Sequence, residues 1–330
     1  MKKVRFGLIG TNFITDWILE AAREESRFEA MAICSRKQET GQAFADKHRI
    51  PYVFTSPEAM AACPYIDAVY IASPNYLHAS LSILFMQKGK HVLCEKPFAS
   101  NAREARQMIH TAREKRVTLM EAMKPTLTPN FLNLQKHLSE AGSIRRYFAS
   151  YCQYSSRYDS LKAGIVPNAF NPSLSNGGMM DLGVYTIYPM VVLFGRPKRI
   201  QASGLLLPTG VDAQGAVNFE YDQLNATILY SKISPSLLPT EIQGEAGTFT
   251  LDRIHSIRTV KFTPRGGESQ DRSLPLTHHE YYYELAEFIR LIENQQIESP
   301  VNSLDHSLAT LEIVDEVRKQ LGVIYPADKY

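Results

Sequence analysis

Near its start the chain reads Val4-Arg5-Phe6-Gly7-Leu8-Ile9-Gly10-Thr11-Asn12-Phe13-Ile14-Thr15. The first six residues form an apolar strand, a glycine breaks it, and a helical segment begins within three residues. A strand that runs through glycine straight into a helix is the entrance of a βαβ unit, whose helix N-terminus faces a phosphate. A full dinucleotide fingerprint would place glycines at 10, 12 and 15, and only Gly10 is present. Asn12 is the expected substitute, because Asn tolerates the left-handed backbone better than other side chains. Thr15 is expected to hold the helix slightly farther from the sheet than glycine would. Gly10, Thr11, Asn12, Phe13 and Ile14 are thus the expected phosphate-binding turn.

Outward from this turn the pattern repeats. Strands are expected at Glu29 to Cys34, Tyr52 to Phe54, Ala68 to Ala72, His91 to Cys94 and Val117 to Glu121, with helices near 13–24, 38–48, 76–88 and 101–115. Strands alternating with helices at this spacing make a parallel, doubly wound dinucleotide-binding sheet of the Rossmann type. The second half differs. A helix near 129–141 precedes a long strand, Arg145 to Ser155, then a Pro/Asn/Ser-rich loop over 160–176 and a helix from Gly178 to Phe194. Residues 198–263 read as successive strands joined by turns, so this sheet should be open and mostly antiparallel. Two helices close the chain, the last with Ser303 as N-cap and Gly322 at its stop. The boundary is expected near Met123-Lys124-Pro125, giving an α/β chain with a nucleotide-binding domain at 1–122 and a substrate and oligomerisation domain at 123–330.

Composition sets limits. The 330 residues are 44% hydrophobic and 21% charged, with a formal net charge of +2, as in an ordinary soluble protein. Neither the net charge nor any charge run calls for nucleic acid or an acidic membrane. No stretch reads as a span of ~20 apolar residues. The four cysteines, Cys34, Cys63, Cys94 and Cys152, show neither metal spacing nor a disulfide framework, which fits a reducing, cytoplasmic setting and no metal.

Three strand ends carry candidate chemistry, since open α/β sheets bind ligands at their carboxyl edge. Strand two ends in Ser35-Arg36-Lys37 without an acid. A carboxylate there would bind an NAD ribose, whereas Arg36 pairs with a 2′-phosphate, so NADP is favoured over NAD. Strand four ends in Ser73-Pro74-Asn75, with Asn75 as the expected cap of the next helix and His78 in its first turn. Strand five ends in Glu95-Lys96-Pro97. The proline fixes a bend that aims Lys96, and Glu95 is placed to accept from a ribose hydroxyl. In the second half, Gly177-Gly178-Met179-Met180-Asp181-Leu182-Gly183-Val184-Tyr185 puts Asp181 and Tyr185 four apart on one helical face. Gly178 and Gly183 permit a close approach to that helix. Arg157, Asn168 and Phe170, in or beside the Pro/Asn-rich loop, are candidate substrate contacts.

The Glu95-Lys96-Pro97 triplet, the Ser73-Pro74-Asn75 turn with His78, and the Gly-Gly helix with Asp181, Gly183 and Tyr185 resemble the glucose–fructose oxidoreductase / inositol dehydrogenase / rhizopine catabolism (Gfo/Idh/MocA) family. The resemblance is closest to its branch of dimeric dihydrodiol dehydrogenases and NADP-dependent D-xylose dehydrogenases. It implies a Rossmann domain followed by an α/β domain whose open sheets pack together in a homodimer or larger homo-oligomer. It also implies that Lys96 and Tyr185 are catalytic, with Asp181 beside them. Two positions depart from the family's pattern. Asn12 replaces the second fingerprint glycine, and Met123-Lys124-Pro125 stands where relatives show an aromatic residue and an arginine.

The expected reaction is hydride transfer between NAD(P) and a hydroxyl or carbonyl carbon of a sugar, polyol or cyclic diol. Tyr185 would be the acid/base. A free tyrosine has a pKa of about 10, so about one in a thousand is ionised at pH 7. A neighbouring ammonium favours the anion and stabilises developing alkoxide charge. Asp181 would orient the lysine or a substrate hydroxyl. A silent nucleotide-binding sensor would keep the nucleotide site but lack these proton-transfer residues. A methyltransferase would want an acid where Arg36 stands.

Overall fold

The structure, a computed structural model, describes residues 3–329. The chain divides into two compact units. The first comprises residues 1–124 with 277–307, and the second 125–276 with 308–330.

The first unit begins with β1 (Val4–Ile9), α1 (Phe13–Ala22), β2 (Phe28–Cys34), α2 (Gln38–His48), β3 (Tyr52–Phe54), α3 (Pro57–Ala61) and β4 (Ala68–Ile71). After a 3-10 turn, Asn75–Leu77, come α4 (His78–Gln87), β5 (His91–Glu95), α5 (Ala102–Lys115) and β6 (Leu119–Ala122). All six strands run parallel in the order β3-β2-β1-β4-β5-β6. The order reverses between β1 and β4, so their carboxyl ends flank the crevice where such sheets bind ligands. The strands read as apolar runs because both faces are covered. Phe6, Leu8, Val69, Ile71, Val92 and Leu93 are fully buried.

The second unit begins with α6 (Pro129–His137), β7 (Ile144–Cys152), α7 (Arg157–Lys162) and α8 (Val184–Phe194). Strands β8 (Arg199–Leu206), β9 (Asp212–Glu220), β10 (Asn225–Ser231), β11 (Thr240–Gly244), β12 (Gly247–Leu251), β13 (Val260–Pro264) and β14 (Gln270–Asp271) follow. They form an eight-stranded sheet ordered β14-β13-β12-β11-β7-β10-β9-β8, antiparallel except for the β7–β10 pair. Residues alternate across it. Tyr147, Ala149, Val217, Phe219, Ala226 and Ile228 point into a core shared with Met179, Met180, Ile187 and Met190, while Arg146, Asn218 and Asn225 face outward.

The chain returns through α9 (Tyr282–Glu293), in the first unit, and ends with α10 (Leu304–Leu321). Ser303 Oγ accepts from the His306 amide at 3.1 Å, and Gly322 at φ +79° stops the helix, both as the sequence indicates. The loop expected over 160–176 holds α7 and two 3-10 turns, Asn168–Phe170 and Pro172–Leu174. One helical run, Pro172–Phe194, is long and apolar enough to cross a membrane by length and composition, contrary to the sequence reading. Of its most apolar 18-residue stretch, 78% is buried within the protein, which explains the apolarity.

Candidate active site

At the end of β1, Gly10 has φ +103°, and a Cβ there would meet the Ala72 carbonyl oxygen at 2.5 Å. Glycine is therefore required by backbone and by space. Asn12 plays a different part from the one expected. Its backbone is extended (φ −91°), and its side-chain oxygen caps α1 by accepting from the Ile14 (2.9 Å) and Thr15 (3.3 Å) amides. Its amide nitrogen donates to Ala72 O at 2.9 Å, tying the turn to the end of β4. Thr15 is buried, and its hydroxyl donates to Gly10 O at 2.8 Å, so it fastens the helix to the turn. The turn is a cradle bounded by backbone, suited to a pyrophosphate at a helix N-terminus. Ser35 is half-buried and Arg36 exposed at the end of β2.

Asn75 opens the 3-10 turn rather than capping α4, whose N-cap is Leu77; the His78 amide donates to Asn75 O. His78 is buried, with Nδ1 2.8 Å from Pro97 O and Nε2 3.0 Å from Ser73 O. Burial holds its pKa below the usual histidine range. The ring pins the Ser73 turn to the Lys96-Pro97 turn, whose peptide bond is cis.

Glu95 is likewise turned inward. Its Oε1 accepts from Tyr70 Oη at 2.5 Å and its Oε2 from the Lys96 amide at 3.2 Å, in a site only 8% exposed. Each oxygen therefore already accepts one hydrogen bond within this unit. Two more carboxyls share this interior, Glu121 and Glu284. Glu121 Oε1 accepts from the Phe98 amide at 3.0 Å, while its Oε2 and both oxygens of Glu284 have no hydrogen-bond partner among the described residues. Burial raises all three pKa values, that of Glu121 to about 8. Lys96, half-buried at the strand end, is thus backed by a cluster of buried acids. Lys124, in the segment that departs from the family pattern, donates to Glu280 at 2.5 Å and lies 4.7 Å over the Tyr281 ring.

The helix carrying Asp181 and Tyr185 is not a plain α-helix. Met179–Gly183 forms a π-turn ahead of α8, a feature that recurs at functional sites. Its glycines admit the protein's own atoms. A Cβ on Gly177 would lie 2.3 Å from Asp212 Oδ1, and one on Gly183 2.5 Å from Met179 Sδ. Asp212, fully buried, accepts from the Gly178 (3.1 Å) and Met179 (2.7 Å) amides and so caps the run from β9. Asp181 Oδ2 accepts from Lys232 Nζ at 2.6 Å. Tyr185 is 8% exposed and meets the rings of Tyr151 (5.7 Å) and His255 (6.3 Å) edge-on; those two rings stack at 3.8 Å.

Of the expected substrate contacts, Arg157 and Asn168 are exposed, on α7 and on a 3-10 turn. Phe170 is fully buried with Ala169, Leu207, Val211 and Ala213, so it is core rather than lining. Lys232, Asp212, Tyr70, Glu284 and His255 had no motif to mark them. Only Lys232 left a trace, as a cation one residue beyond the apolar run Ile228-Leu229-Tyr230. Among the described residues no three His, Cys, Asp or Glu side chains are grouped to hold a metal.

Comparison with known proteins follows the same division. The model of the oxidoreductase family with NAD-binding Rossmann fold matches residues 4–123, and that of the GFO/IDH/MocA C-terminal domain matches residues 136–250. The chain is 50% identical over 326 residues to scyllo-inositol 2-dehydrogenase (NADP(+)) IolU of Bacillus subtilis (strain 168), covering 99% of both proteins. It is 32% identical to trans-1,2-dihydrobenzene-1,2-diol dehydrogenase of Danio rerio, over 98% of this chain and 99% of that one. The crystal structure of aldose-aldose oxidoreductase from Caulobacter crescentus, complexed with glycerol, shares the fold with a TM-score of 0.87 at 19% identity, over 97% of each chain.

Proposed function

The chain belongs to the Gfo/Idh/MocA family of oxidoreductases, and on that premise we propose that it is an NADP-preferring dehydrogenase acting on a CH–OH carbon of a polyol, sugar or cyclic diol. The carrying observation is the end-to-end likeness to an NADP(+)-dependent scyllo-inositol dehydrogenase. The residues present fit such a cofactor. Gly10 to Ile14 form a backbone cradle for the pyrophosphate, and Arg36 stands exposed where a 2′-phosphate would be paired. Ser35 and the Ser73-Pro74-Asn75 turn border the same edge.

When bound, the nicotinamide supplies the hydride acceptor or donor. Tyr185 gives or takes the proton at the substrate oxygen, and Lys96 stabilises the alkoxide charge that develops there. Asp181 accepts from a substrate hydroxyl. The aromatic neighbours of Tyr185 fix its ring. Arg157 and Asn168, both exposed, are left as candidate substrate contacts. All four cysteines are free, which supports a reducing, cytoplasmic setting. Self-association through the open face of the eight-stranded sheet is part of this proposal.

The test is reduction of NADP+ and NAD+ across a panel of inositol isomers, aldoses and trans-diols. Turnover of a polyol with NADP+ preferred is expected. Tight NADPH binding with no turnover across the panel would favour the silent sensor.

A further inference from the structure

Lys232 directly follows β10 and is 2% exposed. Its backbone is held from both sides: its amide donates to Ala213 O, and the Ser155 amide donates to its carbonyl, each at 2.8 Å. The side chain therefore leaves from a fixed base. Besides the Asp181 contact at 2.6 Å, Nζ donates to Ala169 O at 3.3 Å and lies 5.0 Å over the Phe170 ring. One ammonium thus joins the π-turn that carries Asp181 to the Asn168–Phe170 turn. Burying an ammonium is costly, and an apolar residue often stabilises such a place equally well, so the ion pair calls for a reason beyond folding. The pair is also lopsided. The lysine side chain is 3% exposed and the aspartate side chain 37%. The dry end is anchored and the carboxylate end reaches water, as expected of a carboxylate held still for a ligand.

We propose that Lys232 is a positioning residue, which fixes the Asp181 carboxylate to accept from a substrate hydroxyl and couples that orientation to the Asn168–Phe170 turn. This rests on the reading of Asp181 as a substrate-site group. Arg cannot substitute freely, because its planar fork is broader than a point ammonium.

The test uses Lys232→Met, Asp181→Asn and the double variant, with NADP+ and the best-used polyol of the panel, beginning with scyllo-inositol. Kinetics are read beside melting temperature and NADPH affinity. Lys232→Met should lower kcat about ten- to a hundredfold while KM and NADPH affinity stay within about threefold, since misorientation acts on the chemical step. The double variant leaves no unpaired buried charge, and should regain thermal stability without regaining kcat. Recovery of both together would mean the pair serves folding only, and the inference falls. Loss of kcat in Asp181→Asn with wild-type kcat in Lys232→Met overturns the role of Lys232 alone. Wild-type kcat in Asp181→Asn removes the reading of Asp181 as well. If Lys232→Met does not fold, Lys232→Arg decides: a kcat loss of about tenfold at full stability supports positioning, and an unchanged kcat overturns it.

Discussion

Glu121 has a buried carboxyl whose environment favours the protonated form, with a pKa of about 8 against an ordinary 4.5. Loss of hydration is the main cause; the Ser307 and Phe98 hydrogen bonds and nearby Lys96 oppose it only in part. Between those two values the folded chain keeps a proton that the unfolded chain has released. Stability contributed by this group is complete below pH 4.5 and falls as pH rises towards 8. Glu121→Gln should therefore flatten the decline over this window by about 1 kcal/mol per pH unit, read by urea denaturation at several pH values. An unchanged slope would place the lost stability elsewhere, in Glu95 or Glu284. Arg36 makes a cleaner case for binding. Arg36→Ala should weaken NADPH binding by about ten- to a hundredfold and leave NADH nearly untouched, because only the former carries the extra phosphate; fluorescence titration with both cofactors checks it. Lys96→Ala and Tyr185→Phe should each lower kcat by about two to four powers of ten with NADPH affinity largely kept. The strand-end positions of Arg36 and Lys96 were legible, because apolar runs and the turns that stop them are local patterns. Tyr70 and Lys232 were not, because their partners lie 25 and 51 residues away in the chain. Short-range pattern carries no information about such pairs.

Elements of the first unit follow closely from local pattern. The strands Val4–Ile9 and Tyr52–Phe54 and the helix Gln38–His48 have the predicted ends, because turn chemistry and apolar periodicity agree there. The π-turn at Met179–Gly183 was beyond reach. An apolar helical stretch looks the same with one inserted residue, and what decides the insertion is packing. Asp212 reaches the helix start from β9, and the bare Cα atoms at Gly177 and Gly178 let it. Asn12 is a parallel case: its type was right for the turn, yet its backbone is extended and its side chain does the work. Gly177→Ala would push a methyl against Asp212 Oδ1 and displace a buried carboxylate from two amides. The expected cost is about 2 kcal/mol, as for loss of a cap combined with a poorly satisfied buried charge. Urea unfolding should show it, while NADPH affinity, which belongs to the first unit's turns, stays near wild type.

At the scale of the whole molecule the return of residues 277–307 to the first unit has no signature in the sequence, since α9 is amphipathic wherever it packs. The open sheet face is different, because its character can be read directly from strand alternation and register. One row crosses the sheet through Gln201, Asn218, Thr227, Phe148, Glu241, Thr250 and Lys261, and the next through Ser203, Ala216, Leu229 and Ser150. Arg146, Phe148, Arg199, Asn218, Asn225 and Thr227 line a groove of about 690 Å³ on this face. An open antiparallel face can simply meet water, but this one carries half-buried Phe148 and Leu229 and exposed Leu205 among polar and charged side chains. Eight strands at ~4.8 Å spacing and averaging about six residues cover roughly 38 by 21 Å, near 800 Å². A stable interface needs roughly 800 Å² from each partner, so two such faces suffice. The expected species is a dimer or larger assembly by light scattering. Leu229→Arg, which sets a like charge against its symmetry mate near the centre of the face, should lower the mass while NADPH binding persists. A wild-type chain that runs as a monomer at micromolar concentration would remove the sheet face from the proposal.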